Sequence, residues 1–92
     1  MPYILTRITV KDYDEYMRVF QDNAALRQSN GPRSVRLFRS TDDPQELVLL
    51  LEWEDLEKAA QFRQSNELRE RQQRAGVVSQ PVRYEEVEHF SA

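Results

Sequence analysis

A chain of 92 residues with a formal net charge of −3, no cysteine and a single histidine leaves out several chemistries at once. Without cysteine it has no thiol nucleophile, thiolate metal site or disulfide, which suits a reducing compartment. One imidazole cannot build a multi-histidine metal centre, and the acids lack ligand spacing; arginines interspersed with glutamates argue against nucleic-acid affinity, and no run reaches the ~18 apolar residues of a membrane span.

Tyr3 to Val10, YILTRITV, is rich in β-branched and aromatic residues and reads as a first strand, with Ile4, Thr6, Ile8 and Val10 as its inner side. Asp12 is placed to cap a helix; Glu15, three residues on, completes a capping box, and Asp14 adds charge at the positive helix end. Tyr13, Tyr16, Met17, Phe20 and Ala24 recur at spacings of three and four, which predicts an amphipathic helix over 13–29 stopped by Asn30-Gly31-Pro32. Arg33 to Ser40 alternates as a strand with one partly wet face, and its arginines at 33, 36 and 39 suit a sheet edge. Thr41 to Gln45 has turn chemistry.

The most apolar stretch follows. Five consecutive aliphatic residues, Leu47 to Leu51, lie within Glu46 to Trp53 and predict a central strand that is apolar on both faces. Leu47, Leu49, Leu51 and Trp53 share one side, Val48 and Leu50 the other, so both faces need a cover. Asp55 caps a second helix with Leu56, Ala59, Ala60 and Arg63 on one stripe and Phe62 beside it. Ser65-Asn66 predicts a break, and a further helical piece over Glu67 to Arg74 is anchored by Leu68 and ended by Ala75-Gly76. The alternating charges of that piece read as a solvated face. Gln80-Pro81 opens a last strand at an edge, with Val82, Tyr84 and Glu86 on one face and Arg83, Glu85 and Val87 on the other.

This order, βαββαβ, predicts an α+β, ferredoxin-like sandwich: both helical layers on one face of a four-stranded antiparallel sheet, with strands one and three expected as parallel neighbours at the centre. One domain spans residues 1–92. Val48 and Leu50 then lie on a bare face, which a second copy packing sheet to sheet would cover. The default location is the cytoplasm.

The opening strand, Asn30-Gly31-Pro32, the run FRSTDDPQELVLLLEWED from Phe38 to Asp55, and the pattern Ala59, Phe62, Ser65, Leu68 resemble the antibiotic biosynthesis monooxygenase-like (ABM) members of the dimeric α+β barrel superfamily. The resemblance implies a homodimeric barrel, a pocket between helices and sheet, and cofactor-independent monooxygenation of a small quinol- or polyketide-type aromatic. In the haem-degrading branch an Asn, a Trp and a His match Thr6, Trp53 and about Gln72, so only the tryptophan is kept. Many other relatives carry a His at the position matched to Phe62.

Trp53 is the candidate catalytic residue, since an indole at the end of a central strand can stack on a flat substrate; the plainer reading is core packing. Arg63, on the apolar stripe, can fix a carboxylate or phenolate through paired hydrogen bonds, or snorkel outward. Thr6 and Tyr16 offer hydroxyls, and Phe20 and Phe62 apolar walls, although Tyr16 and Phe20 are equally core by spacing. Metal and cofactor are expected to be absent. The partners implied are a second copy and a small aromatic ligand, with no nucleic acid and no membrane. A non-catalytic dimeric barrel that binds a hydrophobic ligand or serves as an interaction module is the alternative, and a haem-binding relative the third choice. Glu52 points to the dimer side, where it is expected to pair with an arginine across the interface or to stay exposed near the strand end. His89 is expected on a terminal strand at the surface, with a switch role open to it because its ordinary pKa is near 6.5.

Overall fold

The computed structural model describes residues 2–22, 24 and 31–91. Strand β1 (Tyr3–Thr9) buries Ile4, Thr6 and Ile8 on one side, as alternation requires, and Val10 just beyond it is fully buried and bridges to Val77. Helix α1 (Tyr13–Asp22) starts where Asp12 Oδ1 accepts from the backbone N–H groups of Asp14 and Glu15 at 2.8 and 3.2 Å. Its buried side is Tyr16 and Val19, with Phe20 stacked on Tyr16 at 5.9 Å between ring centres. Val19 was not in the expected stripe, which had followed the aromatics. The predicted stretch over 25–29 and its Asn30 stop lie outside the described residues.

Strands β2 (Ser34–Arg39) and β3 (Glu46–Glu52) form the expected hairpin. Short polar side chains build its turn: Ser40 Oγ accepts from the N–H groups of Asp42 and Asp43 at 3.2 and 3.1 Å, and Asp43 Oδ1 from that of Gln45 at 3.0 Å. Asp55 caps helix α2 (Leu56–Arg63) by accepting from Lys58 N–H at 2.8 Å, and Ser65 caps helix α3 (Asn66–Arg74) by accepting from Leu68 N–H at 3.2 Å. The predicted break is therefore a second helix start. Gly76, at φ +81°, closes α3 in the left-handed conformation. Strand β4 (Val82–Glu85) is short and ends before His89, which lies exposed in the tail beyond it rather than on a strand.

The sheet order is β2-β3-β1-β4, and every neighbouring pair is antiparallel. This corrects the expectation that strands one and three run parallel: they are central neighbours, but Tyr3 faces Glu52 and Thr9 faces Glu46. The reason is the hairpin. It reverses β3 relative to β2, so the crossover through α1 relates β1 to β2, and β3 is inserted between them. On α2, Leu56 is 40% exposed while Ala59 is buried and Phe62 half-buried, so the inward stripe runs through Ala59 and Phe62 and leaves the expected Leu56 outside.

Two core clusters fill the space between helices and sheet. One contains Ile8, Val10, Tyr16, Val19, Leu47, Leu49 and Ala75, the other Ile4, Trp53 and Ala59, and Leu51 packs against both. The opposite sheet face is open. Register aligns Phe38, Val48, Arg7 and Val82 in one row across it, and Arg36, Leu50, Leu5 and Tyr84 in the next. Among the described residues no helix is long and apolar enough to cross a membrane.

Candidate functional site

Where the two core clusters meet, the helices do not close fully on the sheet and leave a cavity of about 120 Å³. Ile4, Thr6 and Ile8 of β1 with Leu49 and Leu51 of β3 form its floor, Tyr16 and Phe20 of α1 one wall, and Trp53 and Phe62 another. Those last two rings meet at a tilt, 5.4 Å between centres. An engineered apolar cavity of about 150 Å³ in another protein admits benzene. The space is therefore of single-ring size.

Two polar atoms stand out on this apolar surface. Trp53 is 3% exposed and Thr6 7%, and neither the indole Nε1 nor the threonine Oγ1 has a hydrogen-bond partner among the described residues. Each such buried group costs about 1–3 kcal/mol unless something meets it. Trp53 owes its place to the end of β3, where its backbone N–H donates to Pro2 O at 2.9 Å and the pleat turns the side chain to the same face as Leu49 and Leu51. Thr6 sits mid-strand, opposite Leu49 on one side and Arg83 on the other.

Basic groups ring the opening. Arg63, Arg71 and Arg83 line the cavity together with the neutral Gln72, whereas among the described residues no aspartate, glutamate or histidine does. Arg71 is held by Glu67 at 3.6 Å. Arg63 and Arg83 form no ion pair among the described residues. Burial pushes the half-buried Arg83 guanidinium below its ordinary pKa, and the nearby charge of Arg63 pushes it further the same way.

All six residues named from the sequence, Thr6, Tyr16, Phe20, Trp53, Phe62 and Arg63, border this one cavity. Arg83 and Arg71 were missed. The run from Glu67 to Arg74 is not wholly a solvated face: Leu68, Arg71 and Gln72 turn to the cavity, and the signal was the spacing of Leu68, Arg71, Gln72 and Ala75 by threes and fours. Nothing in the sequence pairs Arg83 with Thr6, because that register is set between strands distant in the chain. Glu52 is not left exposed on the open face: it accepts from Tyr3 OH at 3.3 Å and Ser34 Oγ at 3.2 Å, and its negative charge raises the Tyr3 pKa. Among the described residues neither a histidine nor a cysteine lines the cavity, which does not fit a haem iron held by either of those ligands. Among the described residues no group of three or more His, Cys, Asp or Glu is placed to hold a metal ion.

Fold and site together define a ferredoxin-like α+β protein with an apolar, donor-rimmed cavity between its helices and its sheet. The family model for antibiotic biosynthesis monooxygenases matches residues 3–74, most of the chain. The chain belongs to that family. Among solved structures, a Bordetella bronchiseptica protein assigned to the antibiotic biosynthesis monooxygenases superimposes with a TM-score of 0.78 at 22% identity, covering 97% of each chain. SnoaB, a cofactor-independent oxygenase from Streptomyces nogalater, gives 0.72 at 17% identity over 99% of this chain and 97% of its own. A Caulobacter crescentus protein assigned to the same class gives 0.72 at 18% identity, with 95% and 90% covered. At these identities the likeness is one of fold. No curated protein matches the chain by sequence.

Proposed function

We propose that this ABM-family chain is a cofactor-independent monooxygenase of a small electron-rich aromatic, quinol- or polyketide-type, acting in the helix-sheet cavity as a single domain of a cytoplasmic homodimer. The observation that carries this reading is the pair of buried, unpartnered polar atoms, Trp53 Nε1 and Thr6 Oγ1, on the wall of a cavity of single-ring size. Buried donors are ordinarily hydrogen-bonded, and a phenolic oxygen would satisfy these while the indole face and Phe62 hold the ring. SnoaB, similar in fold, is an oxygenase that needs no cofactor.

In this reading the substrate is the reductant. A phenolic proton leaves to solvent, the ionised ring passes one electron to O₂, and the radical pair joins as a carbon–oxygen bond. Breaking the O–O bond then releases water and leaves one oxygen atom on the ring, so a hydroquinone and O₂ give a hydroxyquinone and H₂O. The protein contributes position and exclusion of water.

A second reading, a dimeric barrel that binds a hydrophobic ligand without turnover, is favoured by the absence of any histidine or carboxylate among the described lining residues, where Phe62 stands at the position of many relatives' histidine. Aerobic incubation with a panel of hydroquinones and anthrones separates the two. Oxygen uptake should exceed the protein-free rate and fall about 10- to 100-fold in Trp53→Phe, which keeps an aromatic face but loses a hydrogen bond to a charged oxygen worth about 1.5–3 kcal/mol. Uptake no faster than without protein would leave the binding reading.

A further inference from the structure

We propose that Arg63 and Arg83 make one end of the cavity an anion subsite, so that the ligand is a single-ring aromatic held through an oxyanion, a phenolate or a carboxylate. This deepens the preceding reading and rests on it only in taking the cavity as the place where the ligand sits.

A half-buried guanidinium ordinarily has a carboxylate beside it, because removing a cation from water is otherwise costly. Arg83 instead has Arg63 as its charged neighbour, and no acid lines the cavity among the described residues. Like charges gathered at an apolar opening are relieved by an anion entering it. The remaining polar groups point the same way: guanidinium and indole nitrogens only donate, and a hydroxyl can donate. Thr6 and Arg83 are cross-strand partners in register on β1 and β4, so their side chains leave the sheet on one face, within about 4.5–5.5 Å at Cβ. Among the described lining residues the acceptors are uncharged, the Gln72 amide oxygen and the Thr6 and Tyr16 hydroxyls, and Arg71 already has Glu67. The complement of this surface is a flat apolar body with an acceptor-rich, negatively charged end. Two guanidiniums there would also favour ionisation of a bound phenol, which supplies what the absent base would otherwise do.

Trp53 is the only tryptophan and borders the cavity, so its fluorescence reports occupancy in the unmodified protein. Benzoate against benzamide, and 4-nitrophenol titrated across its own ionisation by phenolate absorbance, compare charged with neutral ligands of similar shape. The anions should bind at least about tenfold tighter, equivalent to lowering the pKa of bound nitrophenol by about one unit. The preference should vanish in Arg63→Gln/Arg83→Gln, survive partly in Arg83→Lys, and persist in Arg36→Gln on the opposite face. Preference for only one of the two anions names the source of the oxyanion. Equal binding of charged and neutral ligands to the wild-type protein, or no binding of either, overturns the proposal without recourse to any variant. Hydroquinone-dependent oxygen uptake in the same preparations keeps the two readings apart: uptake without anion preference overturns this inference alone, and anion preference without uptake overturns the monooxygenase reading alone.

Discussion

At the scale of single residues, Thr6 is the sharpest test of whether the cavity is built for a ligand. Its hydroxyl is buried and unpartnered on a central strand, so the isosteric methyl of Thr6→Val removes a desolvated oxygen without changing volume. Thermal unfolding should find the variant as stable as the wild type or more stable by about 1–2 kcal/mol, while ligand affinity and quinol-dependent uptake fall. A clear loss of stability would mean the hydroxyl serves the fold. Tyr3 carries a pH prediction. Beside Glu52 its folded pKa lies above the ordinary 10.0, so the folded chain holds the phenolic proton more tightly than the unfolded one. That stabilisation is complete below the ordinary value and is lost as pH rises through the folded one. Melting temperatures measured on the alkaline side should therefore drop more steeply for the wild type than for Tyr3→Phe. The six residues singled out from the sequence border the cavity because inward faces of helices and strands follow local periodicity. Arg83 was not, since an arginine on an edge strand looks the same whether it faces water or a pocket.

Elements depend on their caps, and the caps were legible. Asp12 and Asp55 accept backbone N–H bonds at the helix starts where the sequence placed them, and Ser65, expected only as a break, does the same at the start of α3. Urea unfolding of Asp55→Ala and Ser65→Ala should show losses of about 1 kcal/mol each. Ser65 has a further consequence, because α3 brings Leu68, Arg71 and Gln72 to the cavity. Its alanine variant should also weaken aromatic binding, whereas an exposed cap-distant change such as Glu70→Ala should alter neither. Two elements were read imperfectly. The stripe on α2 passes through Phe62 rather than Leu56, since a helix of two turns meets its neighbour over a small patch, and here that neighbour is Trp53. The direction of β3 relative to β1 follows from the tight hairpin with β2, a constraint visible in the turn residues but not carried through to the sheet.

For the whole molecule, the open sheet face matters most. Phe38 is 47% exposed and Tyr84 49%, in rows that include Val48, Leu50 and Leu5. An apolar surface of this kind on a small protein calls for a cover, and a second copy of the same face is self-complementary by symmetry. Sedimentation at micromolar concentration should give a particle of twice the 11.0 kDa chain. Leu50→Glu should shift it to the monomer, and a wild-type monomer would refute the dimer.

The sequence by itself determined what each segment is and which side of it is apolar, because helix and strand periods, caps and turns are local and readable within a few residues. It also carried the family, through Glu46 to Asp55 and the residues around it. Only the tertiary structure decided that Thr6 faces Arg83 and that a space of about 120 Å³ remains between Trp53 and the helices. Those outcomes come from strand register and from how side-chain volumes sum where distant segments meet, and no local pattern encodes either.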